Sequence, residues 1–141
     1  MLTEGDGIPV GLTVAGANVN DFKLARDTIE SIPLDRPKPT RKKPQGLCLD
    51  KGYDYDEVRA LAREFHYTAH IRSRGEEAQW LKRYTRRKAR RWVVERTLGW
   101  LSKCRAILVR YAKKSCNYLG IIQLACGLLW YRRQWRLEVL R

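Results

Sequence analysis

The sequence predicts an α/β protein with a mainly helical C-terminal half. Three short apolar or β-branched segments have the length and composition of strands, namely residues 7–14, 46–50 and 67–71. Two stretches between them repeat apolar residues at the spacing of an amphipathic helix, and the pattern is helical from Trp80 onward. A chain of 141 residues can bury roughly two thirds of its unfolded surface. We therefore expect a single domain over residues 1–141.

The first predicted element is a strand near a sheet edge. Pro9 lies near the start of Gly7–Val14 and cannot donate a hydrogen bond to a neighbouring strand. No element is expected before this strand. A helix is predicted next, over residues 22–31, with Asn20 or Asp21 available as its N-cap.

The middle of the chain predicts a loop followed by a strand–helix–strand arrangement. Residues 33–45 contain four prolines and five basic residues, which indicates a proline- and lysine-rich loop within the domain. A strand over Gly46–Asp50 leads into a helix over Asp54–His66, and Tyr67–Ile71 has the pattern of a further strand.

The positive charge of the chain is concentrated in the 43 residues from Arg72 to Lys114. Residues 1–71 carry 10 Lys/Arg and 11 Asp/Glu, whereas residues 72–114 carry 15 and 3. Within this part, the run from Lys82 to Trp92 has no acid, and aromatic residues are interleaved with its cations. A solvated helix face is the plain alternative, but such a run favours contact with the phosphates of a nucleic acid.

The cysteines and histidines do not indicate a metal site. The four cysteines lack the spacing of a zinc motif, and the residues after Met1 lack the pattern of a signal peptide, so we expect free thiols in a reducing cytoplasm. His66 and His70 would align as ligands on a helix, but the second lies in a predicted strand. We interpret both histidines as structural.

One uncharged segment, Ser115–Tyr131, raises the question of a membrane. It holds 17 residues without a charge, fewer than the roughly 20 apolar residues of a membrane span, and it includes Asn117, Gln123 and two glycines. A peripheral membrane protein is the least favoured alternative. We expect a helix buried within the domain and no membrane partner.

Two carboxylates are the candidate catalytic residues and metal ligands. Asp50 ends a predicted strand, and ligands gather at the carboxyl ends of strands in open α/β sheets. Glu95 is a lone acid among cations, and we expect it near the inner side of its helix because it shares a face with Trp92 and Gly99. Asp50 could instead be a turn or N-cap residue, and Glu95 could form an ordinary helix ion pair.

Several short motifs resemble the C-terminal catalytic part of the DDE transposases of bacterial insertion sequences. The similarity covers nearly the whole chain. The residues that carry it are Gly7-Ile8-Pro9, Ala17-Asn18-Val19-Asn20-Asp21, Leu49-Asp50-Lys51-Gly52-Tyr53-Asp54, Arg90-Arg91-Trp92-Val93-Val94-Glu95-Arg96, Arg110-Tyr111, Asn117-Tyr118-Leu119 and Trp130-Tyr131-Arg132-Arg133.

This resemblance implies a ribonuclease H-like fold in which three acids hold two Mg²⁺ or Mn²⁺ ions. Asp50 corresponds to the second acid of the triad, and Glu95, with Arg91 in the pattern Arg-x-x-x-Glu, corresponds to the third. The first Asp would lie upstream of Gly7–Val14, so we expect an incomplete sheet that lacks its first strand or strands. The side chains expected to contact DNA are Arg83, Arg86, Arg87, Lys88, Arg90, Arg91, Arg96 and Lys103.

The function implied by the resemblance is DNA transposition by metal-dependent strand cleavage and strand transfer. Because no first Asp is found, we expect the chain alone to be inactive and to need an N-terminal transposase portion or self-association. It resembles the second of two reading frames joined by frameshifting, or a decayed copy. The alternative is a non-catalytic DNA-binding remnant that competes with the transposase. Either protein is expected in the bacterial cytoplasm, at the nucleoid.

Overall fold

The structure is a computed structural model, and it describes residues 1–71, 79, 82 and 92–139. Two short helical turns of the 3-10 type lie at Asp21–Leu24 and Lys51–Tyr53. The strands are β1 (Leu2–Thr3), β2 (Pro9–Gly11), β3 (Gln45–Leu49) and β4 (Tyr67–Ile71), and the α-helices are α1 (Ala25–Glu30), α2 (Asp56–Glu64), α3 (Trp92–Leu101), α4 (Arg105–Leu108) and α5 (Ser115–Val139).

The described residues fall into two compact units. The first unit contains residues 1–19, 27–33 and 93–139, and the second contains residues 20–26, 34–71, 79, 82 and 92. Each unit includes one two-stranded sheet, antiparallel β1–β2 in the first and parallel β3–β4 in the second. The predicted α/β class and the helical C-terminal half are confirmed, while the assignment of residues 1–141 to one partial domain stays a prediction.

The first unit begins with a hairpin rather than with a single strand. The prediction that nothing precedes the strand at Gly7–Val14 is wrong, since β1 pairs with β2, and only Pro9–Gly11 of that segment is strand. A turn joins the two strands: Glu4 accepts hydrogen bonds from the backbone N–H groups of Asp6 and Ile8, and Gly7 has a φ of 88°. This left-handed conformation favours glycine.

Helix α3 packs on the hairpin through a stripe of buried residues. Val93, Thr97 and Leu101 recur every four residues and are buried, as expected for one face of a helix. The Thr97 hydroxyl donates to the Gly7 carbonyl over 2.6 Å, a bond between residues 90 positions apart in sequence. This bond therefore joins the hairpin to a helix that lies much later in the sequence.

Helix α5 is longer and more exposed than the sequence predicts. Ile122 and Ala125 are buried and form a core cluster with Leu101 of α3. The expectation of a buried helix is nevertheless wrong for the opposite face, where a second apolar stripe is exposed. Its members are Leu124, Leu128, Tyr131 and Trp135, with exposed fractions of 69, 56, 69 and 58%. None of the helices in the described part of the chain combines the length and apolarity needed to span a bilayer.

The second unit has the predicted strand–helix–strand arrangement. β3 and β4 pair in parallel from Gln45 opposite Tyr67 to Leu49 opposite Ile71, which requires the crossover that α2 supplies. The helix buries Val58, Leu61 and Ala62, and Leu47 of β3 is also buried. The predictions for these three elements are confirmed to within two residues at each end.

The segment before β3 departs from its prediction. The helix predicted over residues 22–31 is α-helical only from Ala25 and starts as a 3-10 turn. Asn20 occupies the N-cap position, but its side chain makes no capping hydrogen bond. Residues 31–44 contain no helix or strand, consistent with the predicted loop, and β3 begins at Gln45.

Candidate functional site

Asp50 stands directly after β3, at the carboxyl end of the parallel strand pair. Its side chain is exposed, and its Oδ1 accepts a hydrogen bond of 3.0 Å from the Gly52 backbone N–H. Asp50 is thus the N-cap of the turn Lys51–Tyr53, which is the plain role that its sequence context allows. The same bond fixes the direction of the carboxylate, as a metal ligand or catalytic acid also requires.

The surroundings of Asp50 contain a half-buried tyrosine that the sequence did not single out. Burial, together with the negative charges of Asp21 and Asp50, raises the pKa of Tyr53 above its ordinary value of 10.0. Nearby, the rings of Phe22 and Tyr55 stack with centroids 4.3 Å apart. Asp21 therefore lies within electrostatic range of the same phenol as Asp50, although the two are 29 positions apart in sequence.

Glu95 lies on the exposed face of α3, so the expectation that it faces inward is wrong. The buried stripe of α3 passes through Val93 and Thr97, and Glu95 is two residues from each. Two residues rotate a helix position by about 200°, which places Glu95 on the face opposite the core. Glu95 belongs to the first unit and Asp50 to the second, and their convergence on one metal site stays a prediction.

Arg96, predicted to contact DNA, is half-buried and engaged within the first unit. Its Nη2 donates to the carbonyl oxygen of Asp6 over 2.5 Å, and its guanidinium lies 4.8 Å from the ring centroid of Trp100. These contacts give Arg96 a structural role in holding the hairpin turn. A contact with DNA phosphate stays a prediction.

The remaining predicted DNA contacts are divided between two parts of the chain. Lys103 is exposed in the turn that follows α3. The other six lie outside the described residues, and they are Arg83, Arg86, Arg87, Lys88, Arg90 and Arg91.

The donor chemistry at Asp50 and Glu95 fits a hard divalent cation. Both residues carry exposed carboxylates, and carboxylate oxygens are the ligands that Mg²⁺ prefers. Within residues 1–71 and 92–139, no three His, Cys, Asp or Glu side chains come together as a possible metal group. That Asp50 and Glu95 belong to a larger ligand set stays a prediction.

The histidines and cysteines occupy separate positions. His66 follows α2 with a φ of 57°, and His70 is exposed on β4. The four cysteines are free thiols, and burial raises the pKa of Cys126 above its ordinary value. Cys126 packs against the core cluster of Leu101, Ile122 and Ala125, and a raised pKa lowers the fraction of the reactive thiolate.

Comparisons with known proteins identify the family. The family described as "Transposase DDE domain" matches residues 47–132, which include both Asp50 and Glu95. The candidate transposase for insertion sequence element IS402 of Burkholderia cepacia is 30% identical over 132 residues, which is 92% of this chain and 60% of that relative. The chain thus spans less than two thirds of the relative's length. No solved structure matches it.

The family match covers more than half of the chain and spans both units. It begins inside β3, three residues before Asp50, and it ends within α5. The chain therefore belongs to the transposase DDE domain family.

Proposed function

We propose that this chain serves DNA transposition, as part of a DDE-type transposase that cleaves DNA and transfers strands with divalent metal ions. The observation that carries this proposal is the family match over residues 47–132, which contains both candidate carboxylates. The IS402 relative supports the same function. The proposed setting is the bacterial cytoplasm, on the DNA of the nucleoid.

In this proposal, Asp50 and Glu95 hold two Mg²⁺ or Mn²⁺ ions together with a third acid. Such ions stabilise negative charge on a reacting phosphodiester. The contribution of Asp50 is a carboxylate that the Gly52 N–H keeps oriented at the end of β3. Glu95 contributes a carboxylate on a helix face that solvent and substrate can reach.

The cations between Arg83 and Lys103 would bind and position the DNA. The eight predicted contacts carry positive charge without acids nearby in sequence, apart from Glu95 itself. Contacts of this kind bind phosphates irrespective of sequence. They would hold DNA transposon ends and target DNA against the metal ions.

We further propose that the first acid and its strand come from a separate N-terminal portion. Support comes from the exposed apolar stripe of α5, which includes Leu124 and Leu128. A contiguous exposed apolar surface marks a site of association. Self-association of this chain through the same stripe is the competing outcome, and light scattering would reveal it.

A ribonuclease H-like fold is the architecture proposed for the complete domain. The β3–α2–β4 unit supports it, because its parallel strands leave Asp50 at their carboxyl end. The second candidate function is a non-catalytic DNA-binding remnant. The absence of a three-acid metal group within residues 1–71 and 92–139 favours that candidate, since a remnant can keep its cations without a complete site.

The experiment is a strand-transfer assay on the chain alone and on the chain fused to the sequence encoded immediately upstream. Asp50→Asn and Glu95→Gln are suitable variants because Asn can still accept the Gly52 N–H, and Glu95 is exposed. Loss of a partner behind a metal ligand typically costs about 10–100-fold, so loss of the ligand charge should cost at least as much. Glu57→Gln, an exposed acid on α2, is the matched control.

The outcomes separate the two functions. With Mg²⁺ or Mn²⁺, the fusion should transfer strands, the chain alone should not, and the two site variants should abolish the activity of the fusion. An inactive fusion that still binds DNA would favour the remnant. Full activity of either variant would remove that residue from the catalytic site.

A further inference from the structure

The loop before β3 carries a group of exposed cations outside the basic run already described. Between Asp35 and Asp50 the chain has no acid, and residues 36–43 contain five basic side chains. Four of these five are exposed, namely Lys38, Arg41, Lys42 and Lys43. We name these four residues the loop cations.

The fifth cation, Arg36, anchors the base of the loop. Its Nη1 donates to Gln45 Oε1 over 2.9 Å, and its Nη2 donates to the Phe65 carbonyl over 2.8 Å. The guanidinium also lies 4.1 Å from the ring centroid of Tyr67 on β4. Because these partners sit at the start of β3 and β4, Arg36 ties the loop to the same ends of both strands.

The tip of the loop is a tight turn. Thr40 and Lys43 exchange backbone hydrogen bonds of 3.2 and 3.1 Å, and the Thr40 hydroxyl accepts a second bond from the Lys43 N–H. Arg41 and Lys42 are therefore at the apex. Three prolines between Arg36 and Gln45 further restrict the backbone. A restricted loop loses less conformational entropy when it binds than a flexible one.

We propose that the loop cations form a further contact with the phosphate backbone of duplex DNA, in addition to the eight residues predicted from the sequence. The charge supports a polyanionic partner, since four cations on a short anchored turn have no acid among them to neutralise them. The proposal rests on the proposed function, which supplies DNA as the polyanion.

The position of the loop relative to Asp50 fits a single bound duplex. The loop ends at the start of β3 and Asp50 follows its end, so five strand residues separate them. A strand rises about 3.3 Å per residue, and the duplex rises about 3.4 Å per base pair. A duplex that contacts both the loop and Asp50 must therefore extend over at least about five base pairs.

The test measures binding of the full chain to a labelled 30-base-pair duplex at several salt concentrations. The loop variant replaces Lys38, Arg41, Lys42 and Lys43 by Gln and keeps Arg36. The control variant removes four exposed cations elsewhere, by replacing Lys23, Arg63, Lys113 and Arg132 by Gln. Both variants lower the net charge equally, so only the position of the charges differs.

Each phosphate contact contributes about 0.9 to the slope of log K against log salt. We expect the magnitude of this slope to be smaller by about 2 to 4 in the loop variant than in the unaltered chain. The loop variant should bind at least about tenfold more weakly at 0.1 M salt, and it should lose affinity for all duplex sequences equally. The control variant should lose less than about 1 from the slope. Thermal unfolding should be unchanged in both variants.

Three outcomes would overturn the proposal. If the unaltered chain binds DNA and the loop variant matches the control, the loop is not a DNA contact, while the proposed function stands. If single-stranded RNA of equal length binds more tightly and its binding alone depends on the loop, the partner is not duplex DNA. If the unaltered chain shows no salt-dependent DNA binding, both the loop surface and the proposed function fail.

Discussion

The two units differ in how far apart in sequence their contacting residues lie. In the second unit, β3, α2 and β4 follow one another within residues 45–71. The first unit joins residues 1–19 to residues 93–139, and the bond between Thr97 and Gly7 crosses 90 positions. Asp50 in the second unit lies at the strand end that the sequence predicts, whereas Glu95 in the first unit is exposed instead of facing inward. The position of a candidate site residue is easier to predict when the residues around it are close to it in sequence.

The largest effect on stability should come from truncating a buried side chain in the core of the second unit. Leu47 is 6% exposed in β3, and Leu47→Ala should lower the free energy of unfolding by about 2–5 kcal/mol. Leu124→Ala, at a position 69% exposed on α5, should change it by less than about 0.5 kcal/mol. Urea denaturation of the full chain measures both. Equal effects would mean that the α5 stripe is buried in solution.

A glycine in the hairpin and one in α5 should respond in opposite directions to alanine. A Cβ at Gly11 would collide with the backbone carbonyl of Thr28, so Gly11→Ala should destabilise by about 1–3 kcal/mol. At Gly127 a Cβ meets nothing within 4 Å, and Gly127→Ala in a helix interior should stabilise by about 0.5–1 kcal/mol. Thermal melts would test the opposite signs. Destabilisation by Gly127→Ala would argue that another chain covers this face.

A single substitution can remove the hydrogen bond between Thr97 and the Gly7 carbonyl without changing the packing. Thr97→Val keeps the shape of a fully buried side chain but leaves the Gly7 carbonyl without its donor, which should cost about 1–2 kcal/mol. Thr68→Val, at an exposed position of β4, is the control and should be nearly neutral. A neutral Thr97→Val would show that this bond does not hold the hairpin on α3.

Substitutions of Asp50 should lower the free energy of unfolding less than substitutions in the core of either unit. Asp50→Ala removes the acceptor of the Gly52 N–H and should cost about 1 kcal/mol, whereas Asp50→Asn should cost less than about 0.5 kcal/mol. Chemical denaturation compares the two variants. If Asp50→Asn is as costly as Asp50→Ala, the charge rather than the cap stabilises the turn, and the activity assay with Asn would need a stability correction.

The smallest effect should appear as a pH dependence. The pKa of Tyr53 is raised in the folded protein, chiefly by burial and then by Asp21 and Asp50, so folding favours the neutral phenol. Its contribution is complete below the unfolded pKa of 10.0 and is lost as the pH rises through the folded pKa. The stability difference between the wild type and Tyr53→Phe should therefore change only above pH 10. A constant difference from pH 8 to pH 11 would contradict the shift.

The sequence by itself determined the helices and strands whose packing partners lie close to them along the chain. The alternation and periodicity of residues 45–71 identified β3, α2 and β4, because their buried residues face one another within one short unit. The short motifs around Asp50 and Glu95 also indicated the transposase family, which the family match confirms.

Only the tertiary structure decided which helix faces are buried and which side chains make contacts within the protein. Periodicity offered two faces for α3, and contact with the distant hairpin buried the face opposite Glu95. The β1–β2 pairing, the exposed stripe of α5 and the internal contacts of Arg36 and Arg96 depend in the same way on partners elsewhere in the chain. The reason is physical: burial and hydrogen bonding depend on neighbours in space, and a local pattern records only neighbours along the chain.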